Sequence, residues 1–164
     1  MMNYTNAIEK ARAVIQDNFI VVPPVRIDEI ARNYGLNVIQ ANFKNYSREV
    51  AGFIDLAKKT IYVNASDSDT RKAFTIAHEL GHYLLHLEKL QDPNNKISVL
   101  YRKPIGELNS DPIEKEANCF AANILVPMEL LEKYKGEDVN TIAKIFGVSP
   151  EVIGYRIWKV LNQK

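Results

Sequence analysis

Residues 69–88 read DTRKAFTIAHELGHYLLHLE. Phe74, Ala77, Leu80, Gly81, Leu84, Leu85 and Leu87 recur at helical spacing behind the possible N-caps Ser66, Asp67, Ser68 and Asp69. This pattern predicts a long helix to about Glu88. His78 and His82 stand four residues apart, so both imidazoles leave one face about one turn apart and can chelate a single ion. Two neutral imidazoles plus one carboxylate suit Zn²⁺ with a fourth position open to water, whereas a structural site closes all four positions with protein. Glu79 has no task in a closed site. In an open one it takes a proton from the water that the ion activates and passes it to the leaving amine. Thr75, Ile76, Ala77, Leu80, Gly81, Tyr83 and Leu84 are uncharged. The helix therefore reads as buried, where two His and a Glu without a partner would be costly and an accidental HExxH is disfavoured.

A third ligand has to come from elsewhere. His86 extends the series to HxxxHxxxH, but it lies about 12 Å along the axis from His78 at about 1.5 Å per residue, too far for one ion. The glycine that bends the metzincin pattern back towards its third His is missing. His86 is therefore read as packing, steadying a ligand or contacting the helix end. In EKEANCFAANILVP (114–127), Glu114, Asn118, Ala121 and Leu125 form one stripe that shares its face with Ala117. An inward carboxylate needs a cation, so Glu114 is favoured as ligand over Glu116, which is rotated by about 200° and expected to face solvent. Asn118, one turn on, is placed to hydrogen-bond a ligand imidazole and fix its orientation.

Working outward, Ile8, Ala11, Ile15 and Phe19 predict an N-terminal helix with one buried stripe. Pro23-Pro24 breaks it, and a short second helix runs to Gly35. LNVIQA (36–41) reads as a strand, and AGFIDL followed after AKK by TIYVN reads as a β-hairpin. Residues 91–111 lack a period and are expected to be irregular; long loops of this kind are often functional. Asp111-Pro112 suits an N-cap and first helical residue, and further helical stretches follow at about 127–134, 139–146 and 150–162. The expected fold is α+β. It has a small antiparallel or mixed sheet of about three strands on a helical bundle, with the HExxH helix between them. Residues 1–164 read as a single domain, with 50–127 as its catalytic core and 128–164 as C-terminal, helix-turn-helix-like helices.

The 164 residues are 46% hydrophobic and 25% charged, the make-up of one globular domain. With 21 basic and 20 acidic side chains there is no bulk charge to draw the molecule onto nucleic acid or an anionic membrane. No apolar run is long enough for a bilayer and the first residues lack a leader pattern, which points to the cytoplasm. Cys119 is the only cysteine, so a metal site has to use His and carboxylate. Buried packing is its expected role. Asp138–Trp158 has the small, turn and apolar places of a helix-turn-helix at Ala143, Gly147 and Ile153. The start of the would-be recognition helix holds Ser149, Pro150, Glu151, Gly154 and Tyr155, without Lys or Arg for phosphate. A helical pair packed on the catalytic helices is the expectation.

HELGHYLLH (78–86) followed by EKEANCFAANILVP (114–127) resembles the ImmA/IrrE family of zinc metallopeptidases, whose HExxH is followed on a later helix by a Glu ligand in an ExxAN-FA-LLxP context. The likeness is strong over residues 50–127, hairpin included, and looser beyond. It implies His78, His82 and Glu114 as Zn²⁺ ligands and Glu79 as general base. It also implies a cytoplasmic endopeptidase of narrow specificity, encoded by mobile elements, phages or stress-response loci, that cleaves a helix-turn-helix repressor and derepresses its genes. Gluzincins at large share the Glu ligand and often carry an acidic or amide residue four further on, here Asn118. The residues support peptide hydrolysis, with a hairpin edge on which an extended substrate can pair and Tyr83, Tyr101 or Arg102 as candidate oxyanion donors. Two competing readings are a non-catalytic zinc protein that sequesters a repressor, which has no need of Glu79, and a DNA-binding regulator with a structural metal.

Overall fold

The computed structural model describes residues 4–46, 48–90, 99–101 and 111–161. Two helices open the chain, α1 (Thr5–Asp17) and α2 (Ile27–Asn33). α1 buries Ala7, Ala11 and Val14, with Ile8 and Ile15 partly buried beside them. Phe19, expected to extend that stripe, is instead 85% exposed. Asn18 closes the helix before it by donating from Nδ2 to the Val14 carbonyl at 2.8 Å, and the chain turns away with Phe19 at φ 51°.

The sheet comprises β1 (Asn37–Ala41), β2 (Val50–Asp55), β3 (Thr60–Asn64) and β4 (Val99–Tyr101), in the order β1-β3-β2-β4. β1 runs parallel to β3 with Val38 opposite Ile61, and β2 pairs antiparallel with both β3 and β4. The α+β class with a mixed sheet is thus as expected. The fourth strand lies within 91–111, a stretch read as irregular; its other residues, apart from Asp111, fall outside the described ones. β4 pairs with β2 at Val50, Gly52 and Phe53 and β1 pairs with β3, so among the described residues the outer strands of the sheet are β1 and β4 and not those of the hairpin.

α3 (Asp69–Leu85) lies across β2 and β3 and packs on α5 (Pro112–Leu125). Ser68 Oγ caps α3 by accepting from the Arg71 amide, and Asp111 Oδ1 caps α5 by accepting from the Ile113 amide. α3 stops at Leu85, short of the predicted end, and the short α4 (Leu87–Leu90) follows. Ile54, Ile61 and Val63 from the sheet, Ile76, Ala77 and Leu80 from α3, and Phe120, Ala121, Ile124 and Leu125 from α5 belong to one core. At full burial each larger side chain contributes about 1.5–3 kcal/mol.

Two glycines set how closely these layers approach. A methyl group at Gly52 would lie 2.5 Å from Thr75 Cγ2, so β2 comes right up to α3 only because that position has no side chain. A methyl group at Gly81 would lie 2.9 Å from Phe120 Cδ1 and 3.4 Å from Ala117 Cα. Gly81 therefore sets the close crossing of α3 with α5, and the crossing carries the N-terminal turn of α5 to the imidazoles.

After α5, α6 (Met128–Leu131) leads to a 3₁₀ turn (Glu132–Tyr134), and α7 (Val139–Phe146) and α8 (Pro150–Leu161) form a helical pair. Val152 and Ile153 are buried, and the buried Arg156 donates from Nε to the Val126 carbonyl at 3.0 Å. One of the few cations of this pair is thereby spent inside the fold rather than offered to phosphate.

Candidate metal centre

α3 supplies His78 and His82 from one face, and α5 brings Glu114 against them. Glu114 Oε2 lies 3.3 Å from His78 Nε2, Oε1 lies 3.1 Å from His82 Nε2, and the two Nε2 atoms are 2.9 Å apart. One ligand atom from each of the three residues falls within 4.8 Å of the others, so the group could hold a metal ion. Both imidazoles are fully buried, and the Glu114 side chain is 13% exposed.

The hydrogen bonds behind the rings fit a cation between them. Asn118 Oδ1 lies 2.9 Å from His78 Nδ1. An amide oxygen only accepts, so Nδ1–H donates and the Nε2 lone pair is left facing Glu114 and His82. Lone pairs and a carboxylate crowded within about 3 Å repel one another unless a positive charge sits among them. Ligand atoms of a tetrahedral zinc at about 2.0–2.1 Å stand roughly 3.3 Å apart, close to the separations found here.

The same arrangement splits the titration of the two rings. Burial would lower His78, but the hydrogen bond to Glu114 and the charges of Glu79 and Glu114 hold it above the ordinary imidazole value. Burial dominates at His82 and, with the neighbouring His78, lowers it to about 4. Burial would raise Glu114, but the hydrogen bonds and charges of His78 and His82 hold its carboxyl far below the usual range.

Glu79 lies beside this cluster with both carboxyl oxygens buried and, among the described residues, without a hydrogen-bond partner. Burial pushes its carboxyl up to about 7, opposed by His78, reinforced by Glu114 and opposed again by the backbone of Ile54, which approaches without completing a hydrogen bond of good geometry. A group poised there can exchange a proton near neutral pH.

Asn118 makes the contact foreseen for it. Glu116, expected to face solvent, instead lies with Oε2 2.9 Å from His86 Nε2, its side chain 26% exposed. Helical rotation gives the direction of Cβ only, and the flexible Glu116 side chain reaches across to the C-terminal end of α3. His86 Nδ1 in turn lies 3.2 Å from His82 Nδ1, so His86 touches a candidate ligand and does not join the cluster. The i,i+4 spacing of His82 and His86 was the signal for that contact; nothing in the sequence pattern pointed to Glu116.

Of the oxyanion candidates, Tyr83 packs half-buried against the core. Only the backbone of Tyr101 is described, paired with Val50, and Arg102 lies outside the described residues. Cys119 is buried, with Asn123 Nδ2 donating to its carbonyl at 2.8 Å.

A family model, Peptidase_M78 or IrrE N-terminal-like domain, matches residues 31–157. The chain belongs to this family. Membership in Peptidase_M78 suggests a metallopeptidase, in keeping with the His-His-Glu group. Among curated proteins the chain is 31% identical over 128 residues to "Uncharacterized immunity region protein 2" of Bacillus phage phi105, covering 76% of this chain and 74% of that protein. Among solved structures it resembles a "Mycobacterium tuberculosis transcriptional regulator" with a TM-score of 0.65 at 18% identity. That likeness in fold covers 93% of this chain and 46% of the other, so the chain spans about half the length of that neighbour. Among the described residues, no helix is long and apolar enough to cross a membrane.

Proposed function

We propose that this chain is a zinc-dependent endopeptidase of narrow specificity that acts in the cytoplasm on a helix-turn-helix transcriptional repressor and so derepresses the genes under it. The observation that carries the reading is Glu79: a buried carboxylate without a hydrogen-bond partner among the described residues, beside a cluster of metal-ligating atoms. A site that merely held an ion would gain nothing from a third buried charge, and leaving one unpaired is costly.

Zinc, when bound, supplies a Lewis acid that polarises the peptide carbonyl and makes water acidic enough to attack near neutral pH. His78, His82 and Glu114 would hold it, and Asn118 keeps the His78 ring turned with Nε2 inward. Glu79 accepts the proton of the attacking water and returns it to the departing amine, for which a carboxyl near 7 is well matched. The regulatory part of the reading is supported by the phage immunity-region relative.

The test compares newly formed protein N-termini across the proteome of source cells expressing the wild type or Glu79→Gln. Glu79→Gln is expected to keep zinc and lose turnover by about 10²–10⁴-fold, the usual share of a general base. One or a few termini that depend on Glu79, a helix-turn-helix repressor among them, is the expected result. No Glu79-dependent terminus with the protein folded and zinc bound would overturn it in favour of sequestration by binding alone.

A further inference from the structure

Behind His82 runs a chain of contacts that the peptide chemistry does not use. His82 Nδ1 lies 3.2 Å from His86 Nδ1, and His86 Nε2 lies 2.9 Å from Glu116 Oε2. A carboxylate only accepts, so His86 Nε2 donates. A neutral imidazole protonated at Nε2 carries its lone pair on Nδ1, and that lone pair can only receive the Nδ1–H of His82. His82 is then left with a bare Nε2, the atom that faces His78 Nε2 and Glu114. With His86 neutral, each donor direction from Glu116 inward follows from the one before it.

We propose that His86 and Glu116 are positioning residues for His82: the Glu116 carboxylate, acting through His86, holds His82 in the tautomer that presents Nε2 to the ion and makes it the stronger of the two imidazole ligands. The proposal rests on the metal-binding part of the function proposed above. His78 is oriented by the neutral amide of Asn118, whereas His82 is oriented through a polarisable ring by a full negative charge. The placement supports more than packing. Both nitrogens of His86 are engaged, its ring is only 3% exposed, and Glu116 follows Glu114 by two residues on α5. One turn of α5 thus reaches the cluster directly through one carboxylate and the back of His82 through another.

The experiment has two readouts. The first is the imidazole ¹⁵N shifts of the zinc-loaded protein, which report which His82 nitrogen carries the proton and which meets the ion. The second is zinc affinity by competition with a chelator. In the wild type, His82 is expected to show a protonated Nδ1 and a ligated Nε2. His86→Phe is expected to mix the tautomers and weaken zinc binding by about 10–100-fold. Glu116→Gln keeps an oxygen that can accept from His86, so it should retain the tautomer and lose affinity by less than His86→Phe while leaving unfolding of the metal-free protein unchanged. Should His86→Phe fail to fold, Glu116→Gln decides alone through its affinity. A wild-type His82 that meets zinc through Nδ1, or zinc affinity in Glu116→Gln equal to that of the wild type, overturns the proposal. Failure of the wild type to bind zinc would refute instead the metal reading on which the proposal rests.

Discussion

The pairs α3–α5 and α7–α8 are both amphipathic helices crossing at short range, yet they use their polar atoms in opposite ways. In α7–α8 those atoms find partners within the protein: Asp138 caps α7 by accepting from the amides of Asn140 and Thr141, and Arg156 reaches back to the carbonyl of Val126 at the C-terminal end of α5. In α3–α5 the acceptors of His78, His82 and Glu114 face one another, and both Glu79 oxygens lack a partner among the described residues. Periodicity is shared by both pairs and says nothing about chemistry. What separates them is polar capacity buried without use, which the fold tolerates only where something else is meant to bind.

The largest break in that contrast comes from Glu114→Ala. It should cost zinc affinity more than the about 100-fold typical of losing a ligand's neighbour, measured by chelator competition; retained tight, stoichiometric zinc would sink the assignment of Glu114. Arg156→Met attacks the other pair. It leaves the Val126 carbonyl without its donor and should lower unfolding stability by about 1–3 kcal/mol in denaturant titration. Zinc affinity should stay at the wild-type level, and a parallel loss of zinc would mean that the two pairs are coupled. Gly81→Ala adds a methyl group 2.9 Å from Phe120 Cδ1. Overpacking outweighs the gain in helix propensity, for a net loss of about 1–2 kcal/mol accompanied by weaker zinc binding as α5 is pushed off α3.

The smallest effect is in pH. His78 is held above the ordinary imidazole value, so as pH falls through its range the ring takes up a proton that an ion has to displace. His82, lowered to about 4, adds no second proton until far lower pH. Zinc affinity should therefore be flat above the range of His78 and fall below it by no more than about tenfold per pH unit. A steeper slope near pH 5 would show that His82 is not held neutral.

The parts of the molecule legible in the sequence are those whose determinants are local. The stripes of α3 and α5, the hairpin, the inward Glu114 and the reach of Asn118 to an imidazole all follow from residues within one or two turns of each other. β4 did not, because Val99–Tyr101 is too short for an alternation to show and is a strand only by virtue of β2 beside it. Glu116 was misjudged for a related reason: a helical wheel knows where a side chain starts, while its end is set by His86 on another helix. Phe19 kept the right period but lay past the end of its helix.

His82 and Glu114 stand on either side of residues 91–110, so an ion shared between them would act as a clasp on the chain as well as a reagent. An ion that binds the folded arrangement and is released on unfolding stabilises the fold by mass action, the more so the further its concentration exceeds the dissociation constant. Loading would then lengthen the lifetime of the protein against proteolysis, and the cell's supply of metal would set how much of it persists as well as how fast it works.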